Sequence, residues 1–165
     1  MNWKFFFSLL GVITLFAVQL ALVKTLPGGD YFYLSLTVLV FIVVLFGLDT
    51  ALFWWLSIGF LTDLFSFNFF GFYTLLMLVV LLLINFLYNS VLTNRSLYAF
   101  LLLTVAATLL YDLSSYLAFS LPWQNFVGQE IKRLGANLLL TIIIFYGITL
   151  LSHRLRPVFL IRSKS

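Results

Sequence analysis

Gly59-Phe60-Leu61-Thr62-Asp63-Leu64-Phe65-Ser66-Phe67-Asn68-Phe69-Phe70-Gly71 places a carboxylate, two hydroxyls and an amide between two glycines, inside one of the most apolar regions of the chain. An aspartate at the centre of a bilayer costs about 2.5–3.5 kcal/mol on insertion scales. A sequence that keeps one there uses it for pairing within the structure or for function. The surroundings decide whether this stretch lies in a bilayer at all.

They decide it clearly. The chain has 165 residues, 64% hydrophobic and 8% charged, with a mean hydropathy of +1.17. Soluble domains use about 45–50% apolar and about 25% charged residues. Apolar runs of about 18 residues or more recur along the sequence, each long enough to cross a bilayer as a helix. The fold class is therefore an all-α integral membrane protein. The absence of cysteine excludes disulfides, thiolate catalysis and cysteine-ligated metals. A single histidine, His153, cannot build a metal site, and no cofactor is expected. The formal charge of +4 points to orientation and to contact with the lipid bilayer, not to nucleic acid.

The runs place spans at about 3–23, 31–48, 50–66, 72–92, 97–119 and 131–151, a six-helix transmembrane bundle in a single domain over residues 1–165. Lys4 precedes the first run, which is longer than a signal-peptide core and is followed by no Ala-x-Ala site, so it reads as a retained span. Lys24 and Pro27-Gly28-Gly29-Asp30 close it with a turn. Tyr31 and Tyr33 open the second span and Trp54-Trp55 the third, in the manner of interfacial anchors. Asp49 falls in a very short connection. Residues 67–71 form a polar-aromatic elbow, and residues 122–125 separate the last two spans. Six spans put both termini on one side. With the N-terminus inside, Lys4, Arg95, Arg154, Arg156, Arg162 and Lys164 face the cytoplasm, and Lys24, Lys132 and Arg133 face out. The positive-inside rule favours that arrangement.

Polar residues within the spans are the candidates for chemistry. Asp63 lies about 20 Å along the third span and Asp112 about 22 Å along the fifth, by the helical rise. Both fall at similar depth in the outer half of the membrane, which permits an interior cluster. Two readings stay open: each carboxylate caps a helix end or bonds a neighbour, or the two shape a functional site. Asn137 is a third buried polar candidate, read as an interhelical hydrogen bond. Asn85 and Asn89 are weaker versions of it, and Gln19 stands alone. Tyr111-Asp112 supplies half of an intramembrane aspartyl-protease pair, but the Gly-x-Gly-Asp half is missing at both Asp49 and Asp63. Gly47, Gly59, Gly71, Gly135 and Gly147 read as points of close helix approach, and no Gly-x-x-x-Gly pair occurs. Glu130, Lys132 and Arg133 form either a snorkelling interfacial cluster or a contact for an external partner.

The stretch Gly59-Phe60-Leu61-Thr62-Asp63-Leu64-Phe65-Ser66, with Gly71 five residues further on, resembles the Gly-x-x-x-Asp-Leu-x-Ser-Gly-x-x-x-Gly signature of the rod shape-determining membrane protein MreD family. Size, six spans, a basic C-terminal tail, Asp112 in the fifth span and Asn137 in the sixth fit as well. Phe67 departs from the pattern, occupying a position where the family usually has glycine. The resemblance implies a non-enzymatic subunit of the bacterial elongation machinery in the cell membrane. It also implies binding to MreC and links to RodA, a class B penicillin-binding protein and the MreB cytoskeleton. The implied fold is similar to the S-component of energy-coupling-factor transporters, which implies an outward-facing pocket around Asp63 and Asp112; Asp63, Ser66, Asp112, Ser115 and Asn137 are the candidates for a polar pocket or a structural cluster. Gly59 and Gly71 would serve the elbow and helix packing. That fold also defines the alternative, a vitamin-binding subunit of an importer.

Overall fold

The computed structural model describes residues 3–25, 27–66, 69–90, 96–119 and 126–152. Six α-helices account for nearly all of them: α1 (Trp3–Thr25), α2 (Leu34–Phe46), α3 (Leu48–Phe65), α4 (Phe72–Ser90), α5 (Leu97–Phe119) and α6 (Phe126–Ser152). A 3-10 turn, Gly29–Tyr31, precedes α2, and no strand occurs among the described residues. Five segments are long and apolar enough to cross a membrane: α2 with its 3-10 turn, α3, α4, and most of α5 and α6. α1 adds the apolar stretch Ser8–Val23. The chain is an all-α, multi-pass membrane bundle.

The helix order follows from hydrophobicity. α2, Leu-Ser-Leu-Thr-Val-Leu-Val-Phe-Ile-Val-Val-Leu-Phe, is apolar around its whole circumference, which marks a helix surrounded by others. It is buried at nine of its 13 positions and touches all five other helices. Leu39 and Val40 from α2 meet Val12, Trp55, Ile58, Leu81, Ile84 and Leu103 in one continuous core. Outward-facing side chains are apolar too: Phe46, Phe69, Tyr98, Ile131, Ile143 and Leu150 are all well exposed within the chain. A soluble monomer does not carry such a surface. Here it is the face offered to lipid.

Consecutive helices run in opposite directions. Gln19 late in α1 reaches Phe32 and Ser35 at the start of α2. Asp63 late in α3 reaches the start of α4, and Arg133 early in α6 reaches Asp112 late in α5. The ends of α1, α3 and α5 and the beginnings of α2, α4 and α6 therefore gather at one end of the bundle. That end carries the buried polar residues.

Several boundaries differ from the sequence expectation. Gly47 alone, at φ +86°, joins α2 to α3. Asp49 is not in a connection but in the first turn of α3, where a carboxylate complements the positive helix end. α6 begins at Phe126, five residues before the expected start, so Glu130, Lys132 and Arg133 are helical. Trp55 is no interfacial anchor: it is completely buried, and its indole N–H donates to the Leu39 carbonyl at 3.3 Å. Gly135 and Gly147 face open space and make no close approach, and Gly47 and Gly71 serve turns. Phe67, Asn68, Arg95, residues 122–125 and the basic residues from His153 onward lie outside the described residues.

Candidate functional site

Asp63 sits in the last turn of α3, two residues before its C-terminal end at Phe65, and is 3% exposed. Its carboxylate accepts the Tyr73 N–H at 2.8 Å, the Thr74 N–H at 2.9 Å and the Thr74 hydroxyl at 2.5 Å. Tyr73 and Thr74 are the second and third residues of α4. The first turn of any helix leaves backbone N–H groups without intrahelical acceptors, and inside a bilayer no water replaces them. In α4 each is satisfied: Phe72 N–H bonds the Phe69 carbonyl at 3.1 Å, Asp63 takes the next two, and Leu75 N–H bonds the Gly71 carbonyl at 3.0 Å. Asp63 is thus an N-cap supplied from the preceding helix, with a negative charge at the positive end of α4.

The two glycines of the stretch make that geometry reachable. A Cβ on Gly59 would lie 2.8 Å from the Thr74 Cα, so only glycine lets α3 approach the α4 backbone here. Gly71 has φ +91°, a conformation that side-chain-bearing residues rarely adopt. Ser66 ends α3 in an extended conformation, with its hydroxyl 3.3 Å from the Asp63 carbonyl.

A second polar centre lies across the same end of the bundle. Asp112 on α5 is 1% exposed; its Oδ1 accepts the Tyr33 hydroxyl at 2.8 Å and Arg133 Nη1 at 3.0 Å. The Arg133 guanidinium also lies over the Tyr33 ring, 5.6 Å from its centroid. Arg133 is therefore an internal partner, not a snorkelling surface residue. Glu130, one turn earlier on α6, is 5% exposed and stands against Asp112.

Asn137, one turn further into α6, binds the backbone N–H of Tyr33 through Oδ1 at 2.8 Å. Gln19 accepts the Ser35 N–H at 3.2 Å and donates to the Phe32 carbonyl at 2.7 Å. Two side chains from two different helices thus secure the start of α2. Deeper in the bundle, Thr141 and Thr104 meet hydroxyl to hydroxyl at 3.0 Å. Ser115 is spent within its own helix, donating to the Tyr111 carbonyl at 2.9 Å.

Between the two centres is a cavity of about 250 Å³, slightly below the usual range for ligand pockets. Tyr33, Tyr73, Tyr111, Phe16, Phe65 and Met77 form most of its wall, with Gln19, Ser35, Thr62 and Ser66 as polar points. Tyr111 meets Tyr33 edge-on at 5.3 Å and stacks with Tyr73 at 6.4 Å. Of the five residues read as a polar pocket or a structural cluster, only Ser66 lines this cavity. Asp63 belongs to the α3–α4 cap, Asp112 to an ion pair, Asn137 to the α2 start and Ser115 to its own helix. Among the described residues no group of three or more histidine, aspartate or glutamate side chains could hold a metal.

Sequence reasoning missed the tyrosines as a set and the partners of Gln19. Tyr33 was placed at an interface, and Gln19 bonds backbone groups, which no search for complementary side chains reveals. The bundle with its cross-helix caps defines a multi-pass membrane protein whose polar groups are spent largely on internal bonding. Comparison with family models, with curated proteins and with solved structures found no match.

Proposed function

We propose that this chain is a non-enzymatic membrane subunit of the bacterial rod-shape machinery, related to MreD, that binds the single-span protein MreC. The observation that carries the reading is the use made of the signature residues. Gly59, Asp63 and Gly71 build one device, a close α3–α4 hairpin with a cross-helix cap. The Asp63 carboxylate is occupied by three donors, which suits a scaffold. α6 adds a face for a partner helix: Val127, Ile131, Leu139, Ile143, Tyr146 and Leu150 point away from the bundle, and Gly128, Gly135 and Gly147 leave open space beside them. Small residues of this kind let a neighbouring transmembrane helix approach closely.

In this reading the chain resides in the bacterial cytoplasmic membrane with both termini inside, and the polar end of the bundle faces out. Through MreC it joins the RodA glycosyltransferase, a class B penicillin-binding protein and the MreB cytoskeleton. The test is co-purification of the detergent-solubilised chain with MreC, which the reading requires. A reporter fused after Ser165 should be active only in the cytoplasm.

The tyrosine-lined cavity favours a second reading, the vitamin-binding subunit of an importer. Recovery of the chain without MreC, carrying a tightly bound vitamin on native mass spectrometry, would establish that alternative and overturn the first.

A further inference from the structure

Asp112, Glu130 and Arg133 pose a charge problem that the described residues do not solve. Arg133 uses Nη1 on Asp112 Oδ1. Asp112 Oδ2, both oxygens of Glu130 and Arg133 Nε are buried, with no hydrogen-bond partner among the described residues. Glu130 and Asp112 present acceptor to acceptor, and one guanidinium balances only one of the two carboxylates. Ion burial without full pairing is strongly unfavourable.

Among the described residues the neighbours offer no further positive charge. Just before α2 stands Tyr33, whose hydroxyl already bonds Asp112 Oδ1. α5 contributes Tyr111 and Tyr116, the latter bonded to Gln129 of α6 at 3.2 Å. The 3-10 turn contributes Tyr31, and the exposed Lys132 ammonium lies over that ring, 5.6 Å from its centroid. Arg133 is thus the one cation directed at the pair among the described residues.

We propose that the outer edge of the α5–α6 pair is a binding site for one monovalent cation, a proton or an alkali ion, held between Asp112 Oδ2 and the Glu130 carboxylate. Its single charge brings the two carboxylates and Arg133 to neutrality. A proton would reside on Glu130, whose carboxyl would donate to Asp112 Oδ2, because Asp112 is already paired with Arg133 and Tyr33 while both Glu130 oxygens are free; a sodium ion would take the free oxygens as ligands. The site is separate from the tyrosine-lined cavity, and its success or failure leaves the MreC reading untouched.

The sequence supplies an unusually direct probe. Glu130 is the only glutamate in the chain, so glutamate labelled with ¹³C at the side-chain carboxyl reports this site alone in the unmodified protein. The labelled full chain is reconstituted in phosphatidylcholine nanodiscs at pH 7, with choline chloride as the salt, and then exchanged into sodium or potassium chloride. A protonated-carboxyl resonance that ignores the exchange identifies the proton. A carboxylate resonance that shifts on exchange, together with a Tm that rises by several degrees, identifies the alkali ion. A carboxylate resonance unmoved by either salt, with an unchanged Tm, overturns the proposal. Glu130→Gln should abolish the salt response while preserving the Arg133–Asp112 pair; where that variant does not accumulate, the labelled native chain still decides.

Discussion

Asp63 and Thr74 are joined twice, through the Thr74 backbone N–H at 2.9 Å and through its hydroxyl at 2.5 Å. Together with the Tyr73 N–H, these bonds make one carboxylate the cap of the following helix. Asp63→Ala leaves two backbone donors unsatisfied in an apolar setting, each worth about 1–3 kcal/mol. The variant should lose most of its yield of folded protein in mild detergent and show a much lower Tm. Asp63→Asn keeps one acceptor and turns an amide N–H toward another donor, so it should fall between the two. Thr74→Ser should be close to neutral, because its hydroxyl and N–H both remain.

The approach of α3 to α4 gives an independent prediction. Gly59→Ala puts a methyl group 2.8 Å from the Thr74 Cα, and relief requires moving backbone. Overpacking of this kind costs about 1–3 kcal/mol. The Tm should drop, and Asp63→Asn in the Gly59→Ala background should cost less than it does alone, since the cap is already displaced. Additive losses in that double-mutant cycle would show that the two residues act separately.

For the ion pair, removing one member should hurt more than removing both. Arg133→Met leaves Asp112 buried without its cation, which typically costs about 3–5 kcal/mol. Asp112→Asn combined with Arg133→Met removes both charges and should recover a large part of the loss in Tm. A double variant as unstable as Arg133→Met alone would contradict this account.

The start of α2 is held from two sides, so Asn137→Ala and Gln19→Ala should each destabilise by about 1–3 kcal/mol. Each removes a different side-chain bond to that segment. Thermal unfolding in detergent measures both, and hydrogen exchange at Tyr33 and Ser35 should accelerate locally before global unfolding is affected.

Much of this architecture is legible in the sequence. Apolar runs interrupted by Lys, Pro and Gly give the six helices, and the 59–71 stretch announces a tight polar hairpin. The role of Asp63 was within reach as a helix cap, because its acceptors are matched by the orphan donors that every helix start must have. Other features were hidden for physical reasons. Counting charge as a span boundary placed the start of α6 after Glu130, which concealed that Glu130 and Arg133 share a helix face with Asn137 and turn inward. Trp54 and Trp55 look alike in sequence, yet Trp54 packs on Gly11 of α1 and Trp55 fills the centre. The helical rise places Asp63 and Asp112 at similar depth, but depth alone does not fix the direction in which each helix presents its side chain.

The bond from Tyr33 to Asn137 spans 104 residues of sequence. During synthesis the second helix leaves the ribosome long before the residue that receives its first N–H exists. Until α6 arrives, the most buried helix of the bundle carries an open polar end beside lipid. α6 therefore acts as a latch on α2: a chain stopped before Asn137 leaves that end open, whatever the rest of the bundle has already packed.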